Sequence, residues 1–261
     1  MSKKGQFVLT TAIVSFISFL GQLVPFSWRY QAIFGLAIVT SFCLWFCFGK
    51  LAKKKENIFV ALLLPLSFFV GINLFYFLLP QKIIWRLLLF LAFAVGFYTI
   101  LLTENVFLVA AEFKSVPLYR AASTTGLLMM LTSAFFLFNA LFSFHFSAWI
   151  NGFLAFVIMV PFLLHFFWSV NLISVFDRDN LVLTLTFSLI ISEIAVVISF
   201  WPVGVGKGSL YLVTLLYVFA GVAQAHCRER LFKKTIWEFI WVGLGTFLAL
   251  LLVTSWRGIL F

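Results

Sequence analysis

Charge is scarce in this chain. Only 10% of its 261 residues are Asp, Glu, Lys or Arg, against about 25% in a typical soluble globular domain, which excludes a fold with water over most of its surface. Acidic groups are rarer still, eight beside eighteen Lys and Arg. The resulting charge of +10 would suit a nucleic-acid binder if the basic residues lined a polar face, but they fall in short clusters between apolar runs. Nucleic acid is therefore not expected as a partner. Three cysteines form no disulfide framework, since Cys43 and Cys47 lie four apart inside one apolar run, a poor placement for a bridge.

Catalytic and cofactor signatures are absent too. The sequence holds no H-E-x-x-H and no G-x-S-x-G. No lysine falls inside an apolar run, which excludes a Schiff-base chromophore. His145 and His226 lie at opposite ends of their runs, away from His165, which argues against paired-histidine haem ligation. The stretch "GVGKGS", residues 204–209, resembles a phosphate loop, but Gly208 rather than Ser or Thr follows Lys207 and no strand precedes it. It reads as a turn. No cofactor and no metal is expected.

What the chain has in abundance is hydrocarbon, with 64% hydrophobic residues and 37 Phe. A membrane-spanning helix needs about 20 apolar residues to cross a core about 30 Å thick. Nine stretches qualify, at roughly 7–24, 32–49, 58–79, 84–103, 126–146, 148–176, 181–201, 209–225 and 236–255. The gaps hold breakers or charge, such as Pro25, Lys50, Pro80, the Asp177-Arg178-Asp179 run and Pro202. The first run follows Lys3 and Lys4 as a secretory signal would, but no small-residue cleavage site follows it. It reads as a retained helix.

The expected fold is all-α, a single polytopic transmembrane bundle over residues 1–261 with the lipid bilayer as its partner. With the N-terminus inside, thirteen Lys and Arg fall on inner segments and five on outer ones, so the positive-inside rule places the N-terminus inside and the C-terminus outside. The plasma membrane is the expected location. Close-approach pairs are few: Ala92 with Gly96, Ala148 with Gly152, and Gly221 with Ala225. Asn73 and Gln22 are candidates for hydrogen bonds between helices.

One stretch interrupts the hydrocarbon. Residues 101–128 carry Glu104, Asn105, Glu112, Lys114 and Arg120. At about 100° per residue, Glu104, Asn105, Glu112 and Ser115 share one arc with Leu101 and Leu108, and Pro117 cannot continue a helix. The fourth span is therefore expected to leave the hydrocarbon near Thr103 and form an amphipathic elbow at the inner surface, a place for a gate or vestibule.

A second polar set lies inside the spans. Counted from the expected ends, Asn139, His165 and Glu193 all fall about 16–18 Å deep on consecutive helices. Such groups face the bundle interior and find partners, so they are expected to meet in one midplane node. The leading functional reading is a transporter or permease-like protein for a small solute, proton or lipid. The alternatives are a non-catalytic subunit of a membrane complex, which adds other membrane subunits as partners, and an enzyme acting on lipid at the inner leaflet.

Overall fold

Backbone N–H and C=O groups have no water to bond inside a bilayer, so an apolar segment must satisfy them within itself as a helix. The computed structural model describes residues 3–49, 54–80, 82–112, 118–172, 177–228 and 232–254, and shows nine long helices with no strand among them. They are α1 Lys3–Gly21, α2 Arg29–Phe48, α3 Lys55–Tyr76, α4 Ile83–Glu112, α5 Tyr119–Ser143, α6 Ala148–Asn171, α7 Arg178–Phe200, α8 Val205–Cys227 and α9 Lys233–Val253. All nine are long and apolar enough to cross a membrane. This is an integral membrane protein.

The number of spans matches the hydropathy, but most helix ends do not. Several helices begin on the charged residue that sequence reading assigned to a loop, as with Lys55, Arg178 and Lys233. Hydropathy marks the hydrocarbon, whereas helical hydrogen bonding continues into the headgroup layer. The largest difference is α4, which runs unbroken for 30 residues, about 45 Å at 1.5 Å per residue. Of the polar arc expected to form a separate elbow after Thr103, Glu104, Asn105 and Glu112 instead lie on the last turns of this helix, and residues 113–117, where the elbow was expected to turn, lie outside the described residues.

Cross-helix contacts fix the alternation. Arg86 Nε at the start of α4 donates to Tyr76 Oη at the end of α3 (3.1 Å), and Lys207 Nζ near the start of α8 donates to the Val253 carbonyl at the end of α9 (3.2 Å). At the opposite pole, Tyr119 at the start of α5 donates to the Ser169 and Val170 carbonyls at the end of α6 (2.7 and 3.0 Å). Even-numbered helices thus start, and odd-numbered ones end, at one pole, which the charge distribution makes the outer one.

The core is centred on α3, buried on most of its surface, while α9 buries only Leu250. Phenylalanine fills it: Phe93 stacks on Phe68 and Phe97 (ring centroids 5.7 and 5.2 Å). Of the close-approach pairs, the glycine partner of each faces a neighbour: Gly96 meets Phe68, Gly152 meets Val196, and Gly221 meets Phe239. Each glycine receives a side chain from the adjacent helix. The hydrogen-bonding candidates are also buried: Ser18 Oγ donates to Asn73 Oδ1 (3.0 Å), whereas Gln22 Oε1 has no partner among the described residues.

Candidate functional site

Glu104 lies on α4 eight residues before its last residue, and His165 lies on α6 six residues before its last, so both are within about 9–12 Å of the inner helix ends. Their side chains meet: His165 Nε2 is 2.7 Å from Glu104 Oε1. Glu104 is 0% exposed and His165 2%, so neither is solvated. Glu104 Oε2 has no hydrogen-bond partner among the described residues.

Aromatic rings wall the pair. Phe107 stands edge-on to His165 and Trp168 (6.1 and 6.3 Å) and to Tyr119 (6.1 Å). Phe107 sits in a notch that exists because residue 126 is glycine: a Cβ there would come within 3.1 Å of its ring. Tyr119 pins the start of α5 to the end of α6, and the Arg228 guanidinium lies 6.0 Å over its ring. Arg228 and Gln224 both donate to Ser123 Oγ (3.1 and 3.0 Å). From the pair to the inner surface the order is carboxyl, imidazole, aromatic wall, then arginine.

The inner halves of α4, α6 and α7 hold further buried polar atoms that have no hydrogen-bond partner among the described residues. These are Asn105 Oδ1, Trp168 Nε1, Asn180 Nδ2, Thr184 Oγ1 and Ser188 Oγ. Buried polar atoms in native proteins are almost always hydrogen-bonded to protein or to ordered water. The last three recur every four residues on α7 and form one stripe of it.

The midplane node of Asn139, His165 and Glu193 does not form. Helix α6 ends at Asn171, capped by Leu172 in the left-handed region (φ 51°), not at residue 176. This brings His165 to about 9 Å from the inner end, while Glu193 is 15 residues, or about 22 Å, from the inner end of α7. Glu193 is also on the exposed side of α7, whereas Ser188, Ile191, Ala195 and Ile198 face inward. Asn139 lies four residues before the outer end of α5, beside Gly206 at the start of α8. Span ends moved the heights, and helix rotation, which composition does not encode, moved the faces.

Of the expected elbow residues, Glu104 is enclosed, Asn105 and Glu112 are half-buried, and Arg120 is exposed. Lys114 lies outside the described residues. The partner of His165 was therefore already among the expected site residues, but in the other set. Its signal was Leu101 and Leu108, which share the Glu104 arc and are fully buried; an arc holding two leucines faces the core rather than water.

Among the described residues, no group of three or more His, Cys, Asp or Glu could hold a metal ion. A family described as "protein of unknown function (DUF5656)" matches residues 11–253, from α1 to the end of α9. No curated protein and no solved structure matches the chain.

Proposed function

The chain belongs to this family, DUF5656, and from that premise we propose that it is a proton-coupled permease for a small polar solute, with the Glu104–His165 pair as its proton carrier. The observation that carries the reading is a fully enclosed carboxyl with one oxygen on an imidazole at 2.7 Å and the other without a partner among the described residues. Magnitudes argue against a purely structural role. Leaving one oxygen of a buried carboxyl without a hydrogen bond costs about 1–3 kcal/mol, whereas a hydrogen bond between membrane helices returns about 0.6 kcal/mol on average.

The chemistry suits proton handling. A carboxyl and an imidazole sharing one proton are neutral as a pair; gaining or losing one proton changes the charge of the enclosed site by a full unit. Such a change alters which helix arrangement is favoured, as alternating access requires. The polar atoms on α4, α6 and α7 that have no partner among the described residues supply hydrogen-bonding positions toward the inner surface.

The test uses the full-length protein in vesicles with a pH-sensitive dye trapped inside and a panel of small polar solutes added outside. The wild type is expected to acidify the lumen with at least one solute, and Glu104→Gln to reduce that signal by about tenfold or more, the equivalent of 1.4 kcal/mol. Equal signals from the two proteins, or none from the wild type across the panel, overturn the proposal.

A second reading, as part of a larger membrane assembly, is favoured by Glu193. This carboxyl sits on an exposed α7 stripe that also includes Leu189 and Val197, and acidic groups within membrane spans normally face a partner. A second copy packed α7 to α7 about an axis along the membrane normal would bring the two Glu193 carboxyls together at one height, where they can share protons.

A further inference from the structure

Helices α8 and α9 pack differently at their two ends. In the inner half, Gly221 on α8 lies so close to Phe239 on α9 that a Cβ there would collide with its ring, and Gly243 on α9 faces Val218. Near the outer pole the glycines of α8 are turned elsewhere, Gly206 toward Asn139 on α5 and Gly208 toward Ile198 on α7. The side chains that α8 presents to α9 there are long, and they leave a groove of about 210 Å³ between the helices. Its walls include Lys207, Tyr211 and Thr214 on α8 and Thr246, Ala249 and Val253 on α9. Leu210 and Val253 at its margin are exposed, so the groove faces lipid.

Along most of its length the groove offers a ligand nothing to bond. Thr214 Oγ1 donates to the Leu210 carbonyl (2.9 Å), and Thr246 Oγ1 to the Val242 and Gly243 carbonyls (2.9 and 3.0 Å). Both hydroxyls are thus bonded within their own helices. A polar solute gains nothing there, whereas a hydrocarbon chain fits.

The polar groups gather at the outer end. Lys207, the third residue of α8, is exposed and is the single charged residue among those lining the groove. Its bond to the Val253 carbonyl on the opposite wall (3.2 Å) holds the ammonium across the mouth. An ammonium has three N–H donors, so two remain. One turn deeper, the half-buried Tyr211 has no hydrogen-bond partner for its hydroxyl among the described residues. From the surface inward the order is cation, phenol, hydrocarbon, which matches the phosphate, ester and acyl chain of a phospholipid. Lys207 to Thr214 and Val253 to Thr246 each span about 10 Å, inside the roughly 15 Å of hydrocarbon in one leaflet.

We infer that the outer groove between α8 and α9 holds an acyl chain of one anionic phospholipid, with the phosphate on Lys207 and the ester carbonyl on the Tyr211 hydroxyl. Charge selects the headgroup: a zwitterionic lipid brings its own cation to the Lys207 ammonium, and an anionic one does not. A helix of a second copy is about 10 Å across with its side chains, too wide for a groove of this volume. Because α9 buries only Leu250, the lipid also fills the space that its own side chains leave beside α8. This site goes beyond the permease reading and stands without it.

The experiment is native mass spectrometry of the full-length protein released from nanodiscs of equal phosphatidylglycerol and phosphatidylcholine with matched chains. The wild type is expected to retain one phosphatidylglycerol, favoured over phosphatidylcholine about fivefold, the attraction of one lysine for anionic lipid. Lys207→Gln should bring the ratio close to one, and Lys207→Arg should keep it. Lys82→Gln, which removes another exposed cation of the outer pole, should leave it unchanged. Tyr211→Phe should lower retention of both lipids about fivefold, the contribution of one hydrogen bond. Ala249 is exposed on α9, so Ala249→Phe fills the groove without entering the core and should abolish the adduct. Equal retention of the two lipids by the wild type, a wild-type ratio in Lys207→Gln, or full retention in Ala249→Phe overturns the site. A lipid-free dimer that Ala249→Phe breaks also overturns it, by placing a second copy in the groove.

Discussion

Removing one member of the Glu104–His165 pair strands the other in an enclosed site, and leaving a buried charge unpaired costs about 3–5 kcal/mol. Replacing both with apolar groups of similar shape removes the desolvation cost along with the attraction and is often neutral. His165→Leu alone is therefore expected to lower the melting temperature in detergent markedly. Glu104→Leu with His165→Phe should recover most of that loss while remaining inactive in proton uptake. A double variant as unstable as the single one would mean that packing around Phe107 and Trp168, rather than the ionisable pair, sets stability here.

The α6–α7 hairpin shows what holds elements together in a chain with so few charges. Asn151 bonds Ser199 at its outer end, Ser192 Oγ donates to the Gly152 carbonyl midway (2.8 Å), and Asn171 bonds Asn180 at the inner end (2.8 Å). Between these bonds, Gly152 admits Val196 so closely that a Cβ would collide with it. Gly152→Val is expected to destabilise the protein by about 1–3 kcal/mol, the usual penalty of overpacking, read as a drop in melting temperature. A smaller partner, Val196→Ala, should restore part of it.

How much of this was legible follows from what kind of signal each feature leaves. The nine spans were legible because a bilayer sets a minimum apolar length, which composition records directly. Gly152 was legible as an interface residue because it falls four residues after Ala148, a spacing of small residues that lets helices approach closely. The ends of α4 and α6 were not: α4 runs past its apolar stretch because helical hydrogen bonding outlasts the hydrocarbon, whereas α6 stops at Asn171, before its apolar stretch ends, on the left-handed Leu172. The pairing of His165 depended on both ends, and on the rotation of α7, which turns Glu193 outward. One residue of the true pair stood in each expected set, so the residues were named but their partnership was not.

At the scale of the whole molecule, exposed apolar surface is what lipid covers, and most of it raises no question. Glu193 does, because Val182, Leu185, Leu189, Val197 and Phe200 on the same stripe are all exposed and none can bond it. If two copies meet along α7, Glu193→Cys in a background with Cys43, Cys47 and Cys227 replaced by Ala is expected to form an oxidant-induced cross-linked dimer in native membranes. Cysteine at Phe34, exposed on α2, should not. Equal cross-linking at both positions, or none at Glu193→Cys, counts against the paired assembly.

The 30-residue α4 has a consequence for the surrounding bilayer. At about 45 Å it exceeds the hydrocarbon thickness by about 15 Å, and a rod of excess length must lean, project, or draw the lipids around it thicker. Because Glu104 rides on this rod near its inner end, any change in lean carries the carboxyl up or down against the imidazole on α6. The acyl-chain length of the host lipids thereby becomes a mechanical input to the pair, so the same polypeptide would run differently in thin and in sterol-thickened membranes.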